Sequence, residues 1–284
     1  RDSSTSRGLG DVYKRQDEAQ RAVRFALYHL YSSARSGSRL SIPPFGLTSQ
    51  GYNGHIFWDT EFWMFPPMLF LNQGIARSMM DYRTDRLKPA CQRAFSYGYR
   101  GAMFPWESDD VGEESCPTFA LTGPFEHHIS ADIAIATWNY YCMSRDIRWL
   151  REDGFPLMEQ VAEFLVSRAE QNEDGSYSIC NVVCADEYAE GVDDNAFTNA
   201  AARCALQDAS KAAALCGIKA PVSWNAVAKG LRIPKFSDGV TREYEGYDGQ
   251  IIKQADANLL AYPLKAITRP EEITVSYTHL TLPT

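Results

Sequence analysis

The feature that most constrains the fold is a series of helical stretches separated by long loops that are rich in aromatic residues. From Asp17 onward, apolar residues recur at three- and four-residue steps and form one face: Ala22, Phe25, Ala26, Leu30 and Ala34. The same pattern predicts further helices over 74–97, 129–145, 147–170, 194–216 and 221–230, and another that starts near Lys253. Strand-like alternation is confined to short pieces such as 177–183.

Consecutive helices joined in this way favour antiparallel hairpins that stack side by side in an all-α fold. The pattern accounts for about seven or eight helices. An (α/α)6 toroid is closed by six hairpins and needs twelve helices, so we expect the chain to supply part of one. For the helix over 194–216, Asp193 or Asp194 is the expected N-cap and Gly217 the expected stop.

Both ends of the chain break from this pattern. The opening residues, RDSSTSRGLGDVYKRQ, carry no period that continues into the helix after them, and the closing VSYTHLTLPT breaks from what precedes it. We therefore expect 1–16 and 271–284 to be non-native tails and 17–270 to form one partial domain. A missing N-terminus also means that the lack of a visible secretory signal is uninformative, and the compartment stays open.

Composition and charge exclude several classes of partner. The net charge is −8, from 28 Lys and Arg against 36 Asp and Glu, and no basic run could follow a phosphate backbone, which argues against nucleic acid. No apolar stretch approaches the ~18 residues that span a membrane. The seven cysteines are irregularly spaced without a C-x-x-C motif, so we expect small buried apolar residues and neither disulfides nor a metal site.

Four loop segments concentrate aromatic, carboxylate and amide side chains, beginning at Gly51, Gly98, Cys184 and Tyr244. Two of them place a Trp beside an acid, as Trp58-Asp59 and Trp106-Glu107. An indole can cover the apolar face of a sugar ring while the carboxylate accepts hydrogen bonds from its hydroxyls. The alternative is a core Trp beside a solvated charge. Two such pairs, introduced by Gly-Tyr-Asn-Gly and Gly-Tyr-Arg-Gly, favour a carbohydrate site.

Five blocks then carry a more specific resemblance. The segments GHIFWDTEFWMFP, GYRGAMFPWES, EHHISADIA, ADEYAEGVDDNAFTN and KQAD are similar, in order, to the signature blocks of glycoside hydrolase family 65. The resemblance spans about Phe45 to Pro263 and implies an (α/α)6 catalytic domain with flanking β domains. It also implies that an α-glucosyl unit is hydrolysed or transferred with inversion at the anomeric carbon.

The resemblance assigns roles to individual residues. Glu187, in the Asp-Glu-Tyr block, is the implied general acid, which must be protonated to donate to the departing glycosidic oxygen and so needs a raised pKa. The implied contacts to the glucosyl ring are made by six other residues: Trp58, Asp59, Trp106, Glu107, Lys253 and Gln254.

The His127-His128 pair requires a separate interpretation. Adjacent histidines lack the i, i+4 spacing of a helical metal site, and Cys180 and Cys184 have no matching second pair, so we expect no metal and no cofactor. We expect His128 to line the pocket for the acceptor sugar, although a structural role is common for such a pair.

Three functions remain open at this point. The stretch from Glu113 to His128 resembles the hydrolase branch of the family that acts on kojibiose or glucosylgalactosyl units, which favours an inverting hydrolase that releases glucose. An inverting phosphorylase that gives β-glucose 1-phosphate and a non-catalytic carbohydrate-binding relative are the alternatives. The general base is expected beyond this chain, so the chain by itself is expected to be inactive. A homodimer is a candidate assembly.

Overall fold

The computed structural model describes the backbone of residues 3–276 and the side chains of residues 16–273. The first helix, α1, runs from Ser3–Ser33 across the expected boundary at residue 16, and the last, α11, covers Pro270–Ser276. The expected domain limits therefore stay predictions, and 277–284 lie outside the described residues.

Helices dominate the described part of the chain, which confirms the all-α prediction. Between the two terminal helices lie α2 Phe65–Leu71, α3 Gln73–Asp85, α4 Leu87–Ser96, α5 Thr122–Phe125, α6 His128–Ser144, α7 Ile147–Trp149, α8 Phe155–Arg168, α9 Ala196–Cys216 and α10 Val222–Gly230. Short π-helical turns cover Thr60–Met64 and Leu150–Gly154, and 3-10 turns cover Gly51–Gly54 and Asp256–Leu260. Two strands, β1 Glu170–Gln171 and β2 Tyr177–Ser178, pair antiparallel.

Several predicted boundaries were wrong. The single helix expected over 74–97 is two helices that meet at Arg86, and the one expected over 147–170 begins with a short turn and a π-helical segment. The helix expected near Lys253 is only a 3-10 turn at Asp256–Leu260. Helix α2 lies in a stretch for which no helix was predicted. Its two prolines are in the first turn, where a missing N–H costs no intrahelical bond.

For α9, the predicted N-cap was wrong and the predicted stop residue was correct. The N-cap is Asn195, whose side chain accepts from the backbone N–H of Thr198, and not Asp193 or Asp194. Gly217 ends the helix as expected, in a left-handed conformation with φ of 79°.

The core is built around α9, which packs against α6, α8 and α10. Its buried face consists largely of alanines, and these small side chains let the neighbouring helices approach closely. Helix α6 is apolar on nearly all sides because it is enclosed by α3, α8 and α9. These helix pairs are the stacked hairpins expected from the sequence. None of the helices formed by the described residues is both long and apolar enough to cross a membrane.

All seven cysteines are free thiols, as predicted, but only Cys184 is fully buried; the other six are partly exposed. The expectation that they are small core residues therefore holds for Cys184 and only in part for the others.

Backbone contacts join the loops that carry the aromatic and acidic residues. Ile56 and Ser108 form an antiparallel bridge between the first and second loops, with N–H to O distances of 2.9 Å in both directions. Val183, which directly precedes the third loop, donates to the carbonyl of Phe125 at the end of α5. Gly101 lets the second loop approach α8, since a Cβ there would lie 2.0 Å from the Gln160 carbonyl oxygen.

Candidate active site

The first loop places Trp58 and Asp59 at the entrance to the π-helical turn. Trp58 is 9% exposed and packs edge-on against His128, at a centroid distance of 5.0 Å, so most of its ring belongs to the core. Asp59 is partly exposed, and burial followed by repulsion from Glu187 raises its pKa. Asp59 therefore lies close to Glu187, the expected acid. Trp58 mainly packs in the core and supports the position of Asp59.

The second loop holds Trp106 and Glu107 beside the first. Trp106 packs edge-on against Phe57, at 4.9 Å, and its indole N–H has no partner among the described residues. Glu107 is 6% exposed, and its carboxylate lies 2.7 Å from Nδ1 of His55. Both backbone amides are held by Glu114, whose two carboxylate oxygens accept from Trp106 and Glu107 at 2.8 Å each. His55 and Glu114 therefore orient the predicted sugar-binding pair.

The third and fourth loops meet at Glu187. Its carboxylate accepts from Lys253 Nζ at 2.8 Å and from Gln254 Nε2 at 3.4 Å. Gln254 Nε2 also donates to the Ala185 carbonyl at 2.9 Å. The hydrogen bond to Glu187 raises the pKa of Lys253, which keeps the ammonium charged. Three of the residues singled out from sequence thus form one contact group, although Glu187 is more than sixty positions from Lys253 and Gln254.

A buried histidine lies behind this group. His128 is fully buried and donates from Nδ1 to Asp132, at 2.6 Å, and from Nε2 to Glu126, at 2.9 Å. Burial alone would lower its pKa, but the charges and hydrogen bonds of the two carboxylates outweigh burial and raise the pKa of His128 to about 10. The imidazole is therefore a cation with both nitrogens used.

This position revises the expectation for His128. With no exposed surface and no free nitrogen, it has nothing to offer an acceptor sugar or a metal in this conformation. Its contact is instead with Glu126, a buried acid whose second oxygen has no partner among the described residues. Burial raises the pKa of Glu126 to about 7 against the opposing effect of His128, and Glu187 adds repulsion.

His127, unlike His128, is uncharged. Burial and then the charge of Arg168 lower its pKa to about 3, so the ring is neutral. Its Nδ1 accepts from Nε of Arg168 at 3.0 Å, and its Nε2 donates to the Pro124 carbonyl at 2.8 Å. His127 thereby fixes the short loop that carries Glu126 into the site.

We expect the free energy of unfolding to fall as the pH rises from about 6.5 to about 10. The unfolded chain releases the His128 proton near pH 6.5, the ordinary value, whereas the folded chain keeps it until about 10. The folded state binds more protons in this interval, so stability falls by up to about 1.4 kcal/mol per pH unit. Urea unfolding at several pH values measures the slope, and His128→Gln should remove this part of it. Identical slopes would show that His128 is uncharged.

The structure joins all eight residues expected from sequence into one connected set, either directly or through one neighbour. It also shows contributors that the sequence did not reveal, namely His55, Glu114, Glu126 and the buried pair Glu61 and Arg83. His55, Glu61 and Glu126 lie inside the recognised blocks, so their presence there was an available signal. Glu114 lies outside the blocks, and no local pattern links it to Trp106.

Two further observations concern a cavity and groups that could bind a metal ion. A cavity of about 370 Å³ is lined by residues that include His55, Tyr82 and Asp109, but by none of the eight predicted site residues. Among the residues whose side chains are described, no group of three or more His, Cys, Asp or Glu is arranged to hold a metal ion.

Comparison with known structures defines the class of fold first. A solved structure of a candidate kojibiose phosphorylase from the human microbiome superposes with a TM-score of 0.81 at 21% identity, over 92% of this chain and 41% of that chain. The stacked hairpins are thus part of an (α/α)6 toroid, as predicted.

The profile of the glycosyl hydrolase family 65 central catalytic domain matches residues 24–249, and the chain belongs to this family. It is 56% identical to the kojibiose hydrolase of Flavobacterium johnsoniae over 256 residues, which cover 90% of this chain and 38% of that protein. It is 43% identical to the protein-glucosylgalactosylhydroxylysine glucosidase of Dictyostelium discoideum, over 86% of this chain and 36% of that protein. The kojibiose phosphorylase of Halothermothrix orenii is 41% identical over 64% of this chain and 25% of that protein. The chain spans less than two fifths of the length of these relatives.

Proposed function

We propose that the protein to which this chain belongs is an inverting glycoside hydrolase that releases glucose from an α-glucoside such as kojibiose or a glucosylgalactosyl unit. Glu187 is the proposed general acid. The observation that carries the proposal is the placement of Glu187 between the amide of Gln254 and the ammonium of Lys253, with Asp59 close enough to repel it. A carboxyl group, two hydrogen-bond donors and a second acid thus lie together, and binding and cleavage of a glucosyl unit require groups of these kinds.

The proposed chemistry begins with the proton on Glu187. In the arrangement without substrate, Lys253 stabilises the ionised carboxylate through their ion pair. Sugar hydroxyls that accept the hydrogen bonds of Lys253 and Gln254 would release Glu187 to carry the proton that the departing oxygen needs. Asp59 and Glu107 would accept hydrogen bonds from other hydroxyls of the ring. We assign no general base to residues 16–273.

The preference for hydrolysis over phosphorolysis is supported by the similarities. The relatives named as hydrolases or glucosidases that share 43% to 56% identity match 86% or more of this chain. The kojibiose phosphorylases share 36–41% identity and match 64–75% of this chain, as in the 36% identity over 75% of the chain for that of Thermoanaerobacter brockii. Phosphorylase activity is therefore the competing outcome of the test.

The test uses this protein extended to the full length of its relatives. It is incubated with kojibiose, with and without inorganic phosphate, and the products are followed by proton NMR. Free β-glucose that appears first without phosphate supports an inverting hydrolase. β-Glucose 1-phosphate that forms only with phosphate would establish the phosphorylase instead. Binding without turnover of any α-glucoside in a panel would indicate a carbohydrate-binding protein. Sedimentation of the same sample tests the candidate homodimer.

Trp106→Ala should weaken substrate binding by about 1–3 kcal/mol, because a sugar face packed on the indole loses that apolar contact. Binding of kojibiose to a slow variant, measured by calorimetry, gives the change. Trp138→Ala is the matched control, since Trp138 contacts Tyr141 on α6 and none of the site residues. Unchanged affinity in Trp106→Ala would make Trp106 a structural residue.

A further inference from the structure

Three acids lie buried beside the proposed catalytic carboxyl, and no role in substrate binding was assigned to them. Asp186, Glu243 and Asp256 are each at most 1% exposed. Neither carboxyl oxygen of Glu243 has a hydrogen-bond donor among the described residues. A buried carboxylate without a donor is costly, so the arrangement around Glu243 requires an explanation.

Asp186 connects this cluster to the active site through the backbone. Its Oδ1 accepts from the amide of Lys253 at 2.6 Å and from the amide of Gln254 at 3.2 Å. The side chains of these same two residues hold Glu187, at 2.8 and 3.4 Å. Asp186 therefore fixes the backbone of both residues that position the proposed acid.

Glu243 contacts Asp186 side chain to side chain. Two carboxyl groups form a hydrogen bond only when one of them carries a proton. Asp186 Oδ1 already accepts from the backbone N–H groups of Lys253 and Gln254, so Asp186 is the acceptor of the pair and the proton belongs on Glu243. Burial, followed by the charges of Asp256 and Asp186, raises the pKa of Glu243 to about 10, which agrees with this assignment.

The backbone of Glu243 is itself fixed to the start of α9. Its carbonyl accepts from the Ala196 amide at 2.8 Å and from Asn195 Nδ2 at 3.1 Å. The same nitrogen of Asn195 donates to Asp256 at 2.7 Å. The other titratable groups that interact electrostatically with this cluster are Cys184, Tyr244 and His128.

We propose that Glu243 and Asp186 are positioning residues: protonated Glu243 donates a hydrogen bond to Asp186, and Asp186 in turn holds Lys253 and Gln254 against Glu187. This inference rests on the proposed role of Glu187 as general acid. It explains why a carboxyl group without any other donor is retained in the interior, because a proton on Glu243 satisfies both acids at once.

The protonation state can be tested in the 284-residue chain itself, independently of activity. Infrared difference spectra between the wild type and Glu243→Gln, recorded at about pH 9, isolate this group, because Glu126 and Asp256 with pKa values of about 7 are then ionised while Glu243 at about 10 keeps its proton. Glu243→Gln should lose the C=O stretch of one protonated carboxyl group, and the control Glu245→Gln, an exposed acid in the same loop, should keep it. A difference spectrum without that loss overturns the proposal even if the enzyme is active.

The positioning role is tested by kinetics in the full-length protein. Glu243→Gln retains a donor to Asp186 and should stay within about threefold of the wild-type kcat. Glu243→Leu removes the donor and should lower kcat on kojibiose by about 10–100-fold with little change in KM, because a displaced acid slows the chemical step. Glucosyl fluoride should be affected much less, since fluoride departs with little need of a proton.

The two substrates separate positioning from general structural damage. Equal losses on kojibiose and glucosyl fluoride, or a Gln variant as slow as the Leu variant, would contradict the proposal. If Glu243→Leu does not fold, Glu243→Gln decides, because a selective loss on kojibiose of about tenfold or more in that variant overturns it. If the wild type turns over neither substrate, the proposed function fails, and the infrared result still decides the state of Glu243.

Discussion

Glu187→Gln in the full-length protein is expected to lower kcat on kojibiose by about 10²–10⁴-fold while the affinity changes little. The amide preserves the size of the side chain and its contact with Lys253, but it has no proton to donate to the departing oxygen. Glucosyl fluoride should lose much less, because its leaving group departs largely without protonation. Steady-state kinetics on both substrates and calorimetric binding of kojibiose give the three quantities.

The matched control is Glu190→Gln, which removes the same charge from an exposed position three residues along the same loop. It should leave both rates near those of the wild type. If Glu187→Gln slows both substrates equally, Glu187 is not the acid, and its role reduces to holding Lys253 and Gln254. If it slows neither, the assignment of the whole site fails.

Arg83→Met is expected to destabilise the chain by about 3–5 kcal/mol, because it leaves the charge of Glu61 buried without a partner. Arg83 and Glu61 are 1% and 0% exposed and form a bidentate pair at 2.7 and 2.9 Å. Glu61 lies in the π-helical turn that follows Trp58 and Asp59, while Arg83 belongs to α3. The pair therefore pins the first site loop to the helical core.

The loss of unfolding free energy in Arg83→Met should grow as the pH rises. Burial already raises the pKa of Glu61, and removing Arg83 raises it further, so the folded state holds a proton that the unfolded state releases. Urea unfolding of the wild type and of Arg83→Met, at acidic and at neutral pH, gives the loss of unfolding free energy at each pH. Replacing both partners, as Arg83→Met with Glu61→Leu, should recover much of the loss, because no unpaired charge remains.

The control for this prediction is Arg148→Met. Arg148 and Glu152 form an ion pair at 3.0 Å with both side chains largely exposed, at 83% and 57%. Such a pair contributes about 0–1 kcal/mol, so the stability should barely change. A loss of similar size in both variants would mean that burial of the Arg83 pair is not what makes it important.

Much of the fold and of the site could be predicted because the signals are local. The three- and four-residue apolar steps predicted the helical class, and Gly217 was recognised as a stop because only a residue that tolerates a positive φ ends a helix in that way. The recognised blocks named Glu187, Lys253 and Gln254, and these three residues are in contact in the structure; their roles in the site stay predictions.

Other features were not predicted from local sequence. Asn195, Asp194 and Asp193 are all good N-cap residues, and only the packing of α9 against the loop that holds Glu243 selects Asn195. Helix α2, which has two prolines in its first turn, was not predicted from the sequence. Pro89, in the first turn of α4, was a local signal of the break at Arg86 that the prediction of one helix over 74–97 did not use.

The sequence by itself determined that the chain is helical and that it belongs among carbohydrate-active proteins of one family, and it proposed which residues make the site. Only the tertiary structure decided that His128 is a buried cation between Asp132 and Glu126, not a pocket-lining group. Only the structure joined Glu243 to Asp186, fifty-seven positions away. The physical reason is the same in both cases: burial and the charges of neighbours set the protonation state of a side chain, and neighbours distant in sequence are supplied by the fold alone.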